Sequence, residues 1–266
     1  MTVLRATDFE FRNRFWVMGA IFWVGFFCYS FDHVNAGVAL LGVHTAATST
    51  PITVSVAGVQ FVFSGLSYEM FGLDPAAQQS RWKLQAMFGM AALLLMGAAM
   101  MRTWATAYLS SDTVQDAKLR TEALVADGPY RYVRNPLYFS NVLMTLSMAL
   151  LASRSGWLVI VAAMVVFQYR LIGREEWELL RTQGERYRAY CQAVPRLWPS
   201  FTARVAAGDG KPRWKQAWLA EAFFFWGFAA ALACFAVTLN LAYTYGLFGL
   251  SIICYVVLWK VRAAKG

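Results

Sequence analysis

Apolar stretches long enough to cross a lipid bilayer recur along this chain, and its charges gather between those stretches instead of spreading along helical faces. With 59% hydrophobic residues and 15% charged, the composition lies outside the range of soluble domains. The bilayer is therefore the solvent, and the fold class it implies is all-α: a polytopic membrane helix bundle. About six transmembrane helices are expected, over residues 15–31, 84–101, 137–152, 157–172, 218–240 and 243–259. The third and fourth are separated by SRSG, a break suited to a helical hairpin. GREEWELLRTQGERYRAY then prolongs the fourth helix beyond the apolar run, being rich in helix formers.

Charge sets the expected orientation. Arg12 and Arg14 precede the first span, no Lys or Arg follows until Arg81, and Lys260, Arg262 and Lys265 follow the last span. Positive flanks stay inside, so both termini are expected in the cytoplasm, the first helix being retained and not cleaved. Residues 51–73 are apolar, but their ITVSVAGVQFVF portion is β-branched and holds Gly58 and Gln60, so an extracytoplasmic or partly embedded segment is expected there. The layout reads as residues 1–83, an N-terminal span and that segment; 84–200, a core with the hairpin and the site; and 201–266, a C-terminal helix pair. Asp32, His33 and Asn35 read as a polar helix end.

The net charge of +9 sits beside apolar spans, which argues for membrane flanks and against nucleic acid. Cys28, Cys191, Cys234 and Cys254 show no paired spacing, and His33 and His44 are too few for a His-rich metal centre. No metal site follows.

Two polar regions, residues 102–135 and 173–216, bracket the hairpin and should meet at its cytoplasmic mouth. The first contains GPYRYVRNPLY. Gly128 and Pro129 make a turn, Asn135 stands at an N-cap, and Pro136 occupies the first helical position, where its missing N–H costs nothing. Free N–H groups at that helix start suit an anion, and Tyr130, Tyr132 and Tyr138 offer faces for an adenine or a sulfonium cation. Taken singly, these tyrosines with Arg131 and Arg134 fit an interfacial belt equally well. The second region holds Arg170, Arg174, Glu175, Glu176 and VPRLWP. A carboxylate there can accept hydrogen bonds from ribose hydroxyls, and an arginine can clamp an anion with two parallel bonds.

Together, GPYRYVRNPLY, REEWELLRTQGERYRAY and VPRLWP resemble the isoprenylcysteine carboxyl methyltransferase and phospholipid methyltransferase superfamily of membrane enzymes, over roughly residues 100 to 200. The resemblance implies S-adenosylmethionine as cofactor, held by Gln115, Glu122, Ala123, Leu124, Val125, Tyr130, Asn135, Pro136, Leu137, Tyr138 and Glu175. It makes Arg170 or Arg174 the substrate-facing arginine and Glu176 a further catalytic candidate. It implies a lipophilic or lipid-like methyl acceptor, an isoprenoid carboxylate or an amine-bearing lipid, and a multi-pass location in a bacterial inner (plasma) membrane with the site facing the cytoplasm. Asn135 replaces the family's His and Gln183 its Phe. Asparagine cannot work as an acid or base near neutral pH, so no step can depend on one there. Two other readings compete. A sterol-reductase-like enzyme would need a nicotinamide cofactor, for which no dinucleotide fingerprint is present. A transporter would place polar residues at mid-span, whereas these spans hold few charges, Glu221 near one end being the clearest.

Overall fold

The computed structural model describes residues 5–32, 34–40, 52–56, 59–63, 78–109, 126–221 and 225–263. Helix α1 (Asp8–Arg12) opens on a capping box, in which Thr7 Oγ1 accepts from the Glu10 N–H and the Glu10 carboxylate accepts from the Thr7 N–H. Helix α2 (Arg14–Phe27) follows and ends in a 3₁₀ turn at Cys28–Ser30, then comes α3 (Ala36–Leu40). Strands β1 (Ile52–Val56) and β2 (Val59–Phe63) form an antiparallel hairpin with Ile52 opposite Phe63. The β-branched stretch is thus a two-stranded hairpin inside an otherwise helical fold, which corrects the all-α expectation locally. Beyond it lie α4 (Gln78–Tyr108), a 3₁₀ turn at Gly128–Arg131, α5 (Pro136–Leu151), α6 (Arg154–Ala193), α7 (Trp214–Glu221), α8 (Gly227–Thr238) and α9 (Leu241–Ala263).

Helix α4 is the centre of the bundle and packs on α5, α7 and α8, while α6 lies against α5 and α2. One core joins Phe88 and Leu95 of α4 to Leu151 of α5 and to Leu232 and Phe235 of α8, with the Phe88 and Phe235 rings edge to face at 4.4 Å. A second core joins Met18 of α2 to Ala149 of α5 and to Ile160, Met164 and Leu171 of α6. Outward-facing Trp16, Leu93, Leu158 and Val237 are exposed, an arrangement that suits lipid as the surrounding medium. Among the described residues, Trp82–Tyr108 and Arg154–Ala193 are long and apolar enough to cross a membrane, and Arg14–Ser30, Pro136–Leu151 and Gly227–Thr238 are shorter apolar helices.

Several expected boundaries move. Helix α4 runs on past Met101 to Tyr108, so Arg102 is buried in the bundle and does not mark the exit from it. The hairpin turn shrinks to Ala152 and Ser153, because SRSG starts the next helix: Ser153 Oγ accepts from the Gly156 N–H and caps α6. Within the single expected span over 218–240, α7 and α8 are described and residues 222–224 lie outside the described residues; a Cβ on Gly227 at the start of α8 would overlap Ser251 of α9. Helix α6 covers 40 residues in two segments that meet at Gly184, and the first of them, about 45 Å long at 1.5 Å per residue, already exceeds the thickness of a hydrocarbon core. Its apolar part ends near Ile172, and the helix continues beyond that residue, as the sequence implied. Gly184 breaks that continuation with φ 54° and ψ −130°, a conformation that only glycine adopts readily.

At the other end of α6, Tyr29 donates to the Leu151 carbonyl, Asn35 donates to Tyr29 Oη and the Ala152 carbonyl, and Asp32 accepts from the Ser155 N–H. The polar helix end therefore fastens the hairpin turn. Close helix crossing does the same work deeper in, since a Cβ on Gly156 would overlap the Gly25 carbonyl oxygen of α2. Small residues allow such approach between membrane helices. Gly156→Ala is expected to destabilise the protein by about 1–3 kcal/mol through overpacking, read as a lower thermal midpoint in detergent. Gly19→Ala, whose Cβ meets nothing within 4 Å, should leave the midpoint unchanged or raise it.

Candidate functional site

The two polar regions do meet. Gly128 has φ +57°, and a Cβ there would strike the Tyr108 ring, so the GPYR turn lies directly on the end of α4. From that turn the backbone pairs with the VPRLWP region: Arg134 N–H donates to the Pro195 carbonyl at 2.8 Å, Ser200 N–H to Tyr132 at 3.0 Å and Arg204 N–H to Arg131 at 2.9 Å. Asp127 accepts the N–H groups of Gly208 and Gly210 at 2.6 and 3.0 Å. Residues 206–212, AAGDGKP, are thereby clasped to the first region.

Between these pairings sit the two consecutive glutamates of α6, which point apart because successive helical residues differ by about 100°. Glu176 faces the polar connections. Its Oε1 accepts from Asn135 Nδ2 at 3.1 Å and lies 3.4 Å from Arg134 Nε, and its Oε2 lies 2.9 Å from Arg196. Asn135 also donates to the Arg196 carbonyl at 2.9 Å. Asn135 stands immediately before Pro136 as expected, but its side chain makes no capping hydrogen bond; both amide hydrogens serve the Glu176 hub. A pure donor suffices at this position, which explains how an amide can occupy it.

Glu175 faces the bundle. Tyr138 Oη donates to its Oε1 at 2.8 Å. Burial pushes the Glu175 carboxyl up to about 6, against the Tyr138 hydrogen bond and the Arg14 charge, which pull it down. Tyr130 is buried, its hydroxyl makes no hydrogen bond among the described residues, and Glu175 and Arg102 act on it electrostatically. Its carbonyl accepts from Tyr190 Oη at 2.7 Å. Arg102 donates to Asn141 Oδ1 at 3.1 Å and lies over the Phe225 ring, and Asn141 continues to Gln168. This buried polar series crosses α4, α5 and α6.

Of the sequence candidates, Tyr130, Asn135, Pro136, Leu137, Tyr138, Glu175 and Glu176 come together at the junction of the 3₁₀ turn, α5 and α6. Gln115 and Glu122–Val125 lie outside the described residues. Arg170 and Arg174 stand to one side, on another face of α6, where Arg170 grips Glu10 at 3.1 and 2.7 Å and Arg174 reaches Asp8 at 2.5 Å. The sequence reading missed the roles of Arg102, which it set at the start of the first polar region, and of Asn141, which lay inside an apparent span, and the pairing of Arg196 with Glu176. A polar residue inside an apolar run was the signal that could have found Asn141.

Residues 84–186 match the phospholipid methyltransferase family model. The match is consistent with the isoprenylcysteine and phospholipid methyltransferase superfamily suggested by the motifs. It takes in α4, the GPYRYVRNPLY turn, α5 and α6 through the Glu175–Glu176 pair. Neither a curated relative nor a solved structure matches the chain at a significant level. The family match together with the two long apolar helices supports a membrane location.

Proposed function

We propose that the chain is an S-adenosylmethionine-dependent methyltransferase acting on a lipophilic acceptor, an isoprenoid carboxylate or a lipid-like molecule, at the cytoplasmic face of a multi-pass membrane bundle. The observation that carries this reading is the buried Tyr138–Glu175 pair together with the Tyr130 hydroxyl, which makes no hydrogen bond among the described residues, inside the segment that matches the family. These groups fit the cofactor. A buried carboxylate is an acceptor for ribose hydroxyls, and a buried phenol without a hydrogen bond is a donor in want of an acceptor. S-adenosylmethionine when bound supplies an electrophilic sulfonium methyl. The chain's own residues then align an acceptor oxygen or nitrogen in line with that methyl and exclude water, the main demands of such a displacement.

A carboxylate acceptor needs no base. An amine acceptor must first lose a proton, and a carboxyl held near 6 is suited to take it, so an amine-bearing lipid is the second reading. Membranes containing the protein, incubated with S-adenosylmethionine labelled on its methyl group, distinguish the two. Base-labile label in lipid extract is the expected result for a carboxyl ester, base-stable label in lipid indicates an amine, and no transfer above membranes lacking the protein would defeat both.

A further inference from the structure

Residues 5–12 fold back on the face of α6 that carries Arg170 and Arg174. The Ala6 N–H donates to the Arg170 carbonyl at 3.0 Å, and Ala6 accepts from Arg174 at 3.3 Å. Glu10 forms the two-pronged pair with Arg170, Asp8 pairs with Arg174, and the Arg174 guanidinium also lies 5.0 Å from the Phe11 ring centre. Arg170 holds the Glu10 carboxyl down at about 2, so it stays ionised at neutral pH. The capping box orients Glu10 for this contact, since its carboxylate is fixed between Thr7 and Arg170. An open cleft of about 330 Å³ adjoins the pairs, lined by Arg5, Ala6, Asp8, Arg174, Trp177 and Glu178.

Two carboxylates of the chain thus occupy the two arginines on the face of α6 beside the glutamate pair. A two-pronged guanidinium contact is selective for carboxylate or phosphate geometry. Arg14, two residues beyond this segment, begins α2, donates to the Phe11 carbonyl and acts electrostatically on Glu175, so a movement of α1 would alter the field at the proposed cofactor site.

Resting on the methyltransferase reading for the identity of the neighbouring site, we infer that α1 is an internal occupant of an anion subsite: Asp8 and Glu10 hold Arg170 and Arg174 until the carboxylate of a lipophilic acceptor displaces them. The acceptor is then anionic, α1 must lift for it to enter, and the resting chain restrains its own acceptor binding.

The test uses the full chain in non-ionic detergent with oleate as an anionic lipophile and oleyl alcohol as its uncharged counterpart, each titrated by calorimetry. Asp8→Asn combined with Glu10→Gln should tighten oleate binding at least fivefold and leave oleyl alcohol unchanged. Phenylglyoxal should modify Arg170 faster in the double variant, with oleate protecting it, as read by peptide mass spectrometry. Asp8→Asn alone changes a side chain that is 91% exposed, so it retains the fold and should shift oleate affinity in the same direction by less. Equal or weaker oleate binding by both variants would overturn the proposal and leave α1 as a structural anchor. S-adenosylhomocysteine binding, measured on the same samples, judges the methyltransferase reading separately: its absence throughout would remove that reading while the oleate comparison still decided the fate of the latch.

Discussion

Glu176→Ala is expected to be among the most damaging single substitutions in this protein, costing about 3–5 kcal/mol, the range for removing one partner of a buried charge cluster. Glu176 is only 13% exposed and is shared by Arg134, Arg196 and Asn135, which come from two separate polar connections. Without the carboxylate, two guanidinium groups are left facing one another where water enters poorly, and the join between GPYRYVRNPLY and VPRLWP loses its central acceptor. The backbone pairings of Arg134 with Pro195 and Ser200 with Tyr132 depend on that join. Thermal unfolding in detergent should show a large fall in midpoint. Glu185→Ala provides the contrast: its pair with Arg188 is exposed on both sides, and exposed pairs contribute at most about 1 kcal/mol.

The second large effect falls on ligand affinity and not on folding. Glu175→Gln keeps the shape of the side chain and can still accept from Tyr138, yet removes a charged acceptor. A hydrogen bond to a charged group is worth about 1.5–3 kcal/mol, so S-adenosylhomocysteine affinity should fall about 10- to 150-fold while the thermal midpoint changes little. The pH dependence follows from the sign of the shift. Burial raises the Glu175 carboxyl to about 6, so it is ionised above that value and protonated below it. Affinity for S-adenosylhomocysteine should weaken as pH falls through about 6 in the parent chain and stay flat over the same range in Glu175→Gln. A parent profile as flat as that of the variant would remove Glu175 from the contact set.

Much of the bundle was legible because the length and apolarity of a helix are properties of single segments. The hairpin of α5 and α6, the extension of α6 beyond Ile172 and the helix start at Pro136 all follow from local patterns. The boundaries that moved depend on partners distant in sequence. Arg102 looks like a helix exit until Asn141 and Phe225 are brought against it. The β-branched run before α4 was marked as unlike the other apolar stretches, but its two halves, separated by only two residues, were not read as the short-range hairpin they form.

The site divides in the same way. Motif spacing pointed to the Tyr138 and Glu175 region, and the structure brings those two side chains into contact. It could not separate the tasks of adjacent glutamates: Glu176 is bound into the scaffold by residues 134, 135 and 196, while Glu175 faces the buried tyrosines. Nor could it see that Arg170 and Arg174, read as ligands for a substrate, are held by acids more than 150 positions earlier in the chain, since Glu10 and Asp8 sit 160 and 166 residues away. Asn135 illustrates a change of residue that geometry explains, because two donated hydrogen bonds are what its position uses here.

The most direct measurement is calorimetric titration of the purified full chain, in detergent at pH 7.5, with S-adenosylhomocysteine. One saturating site, competed by S-adenosylmethionine and lost or severely weakened in a variant carrying Tyr138→Ala and Glu175→Ala, is the expected result. A folded protein that takes up no S-adenosylhomocysteine, or binds it equally well without Tyr138 and Glu175, would contradict the methyltransferase site described above.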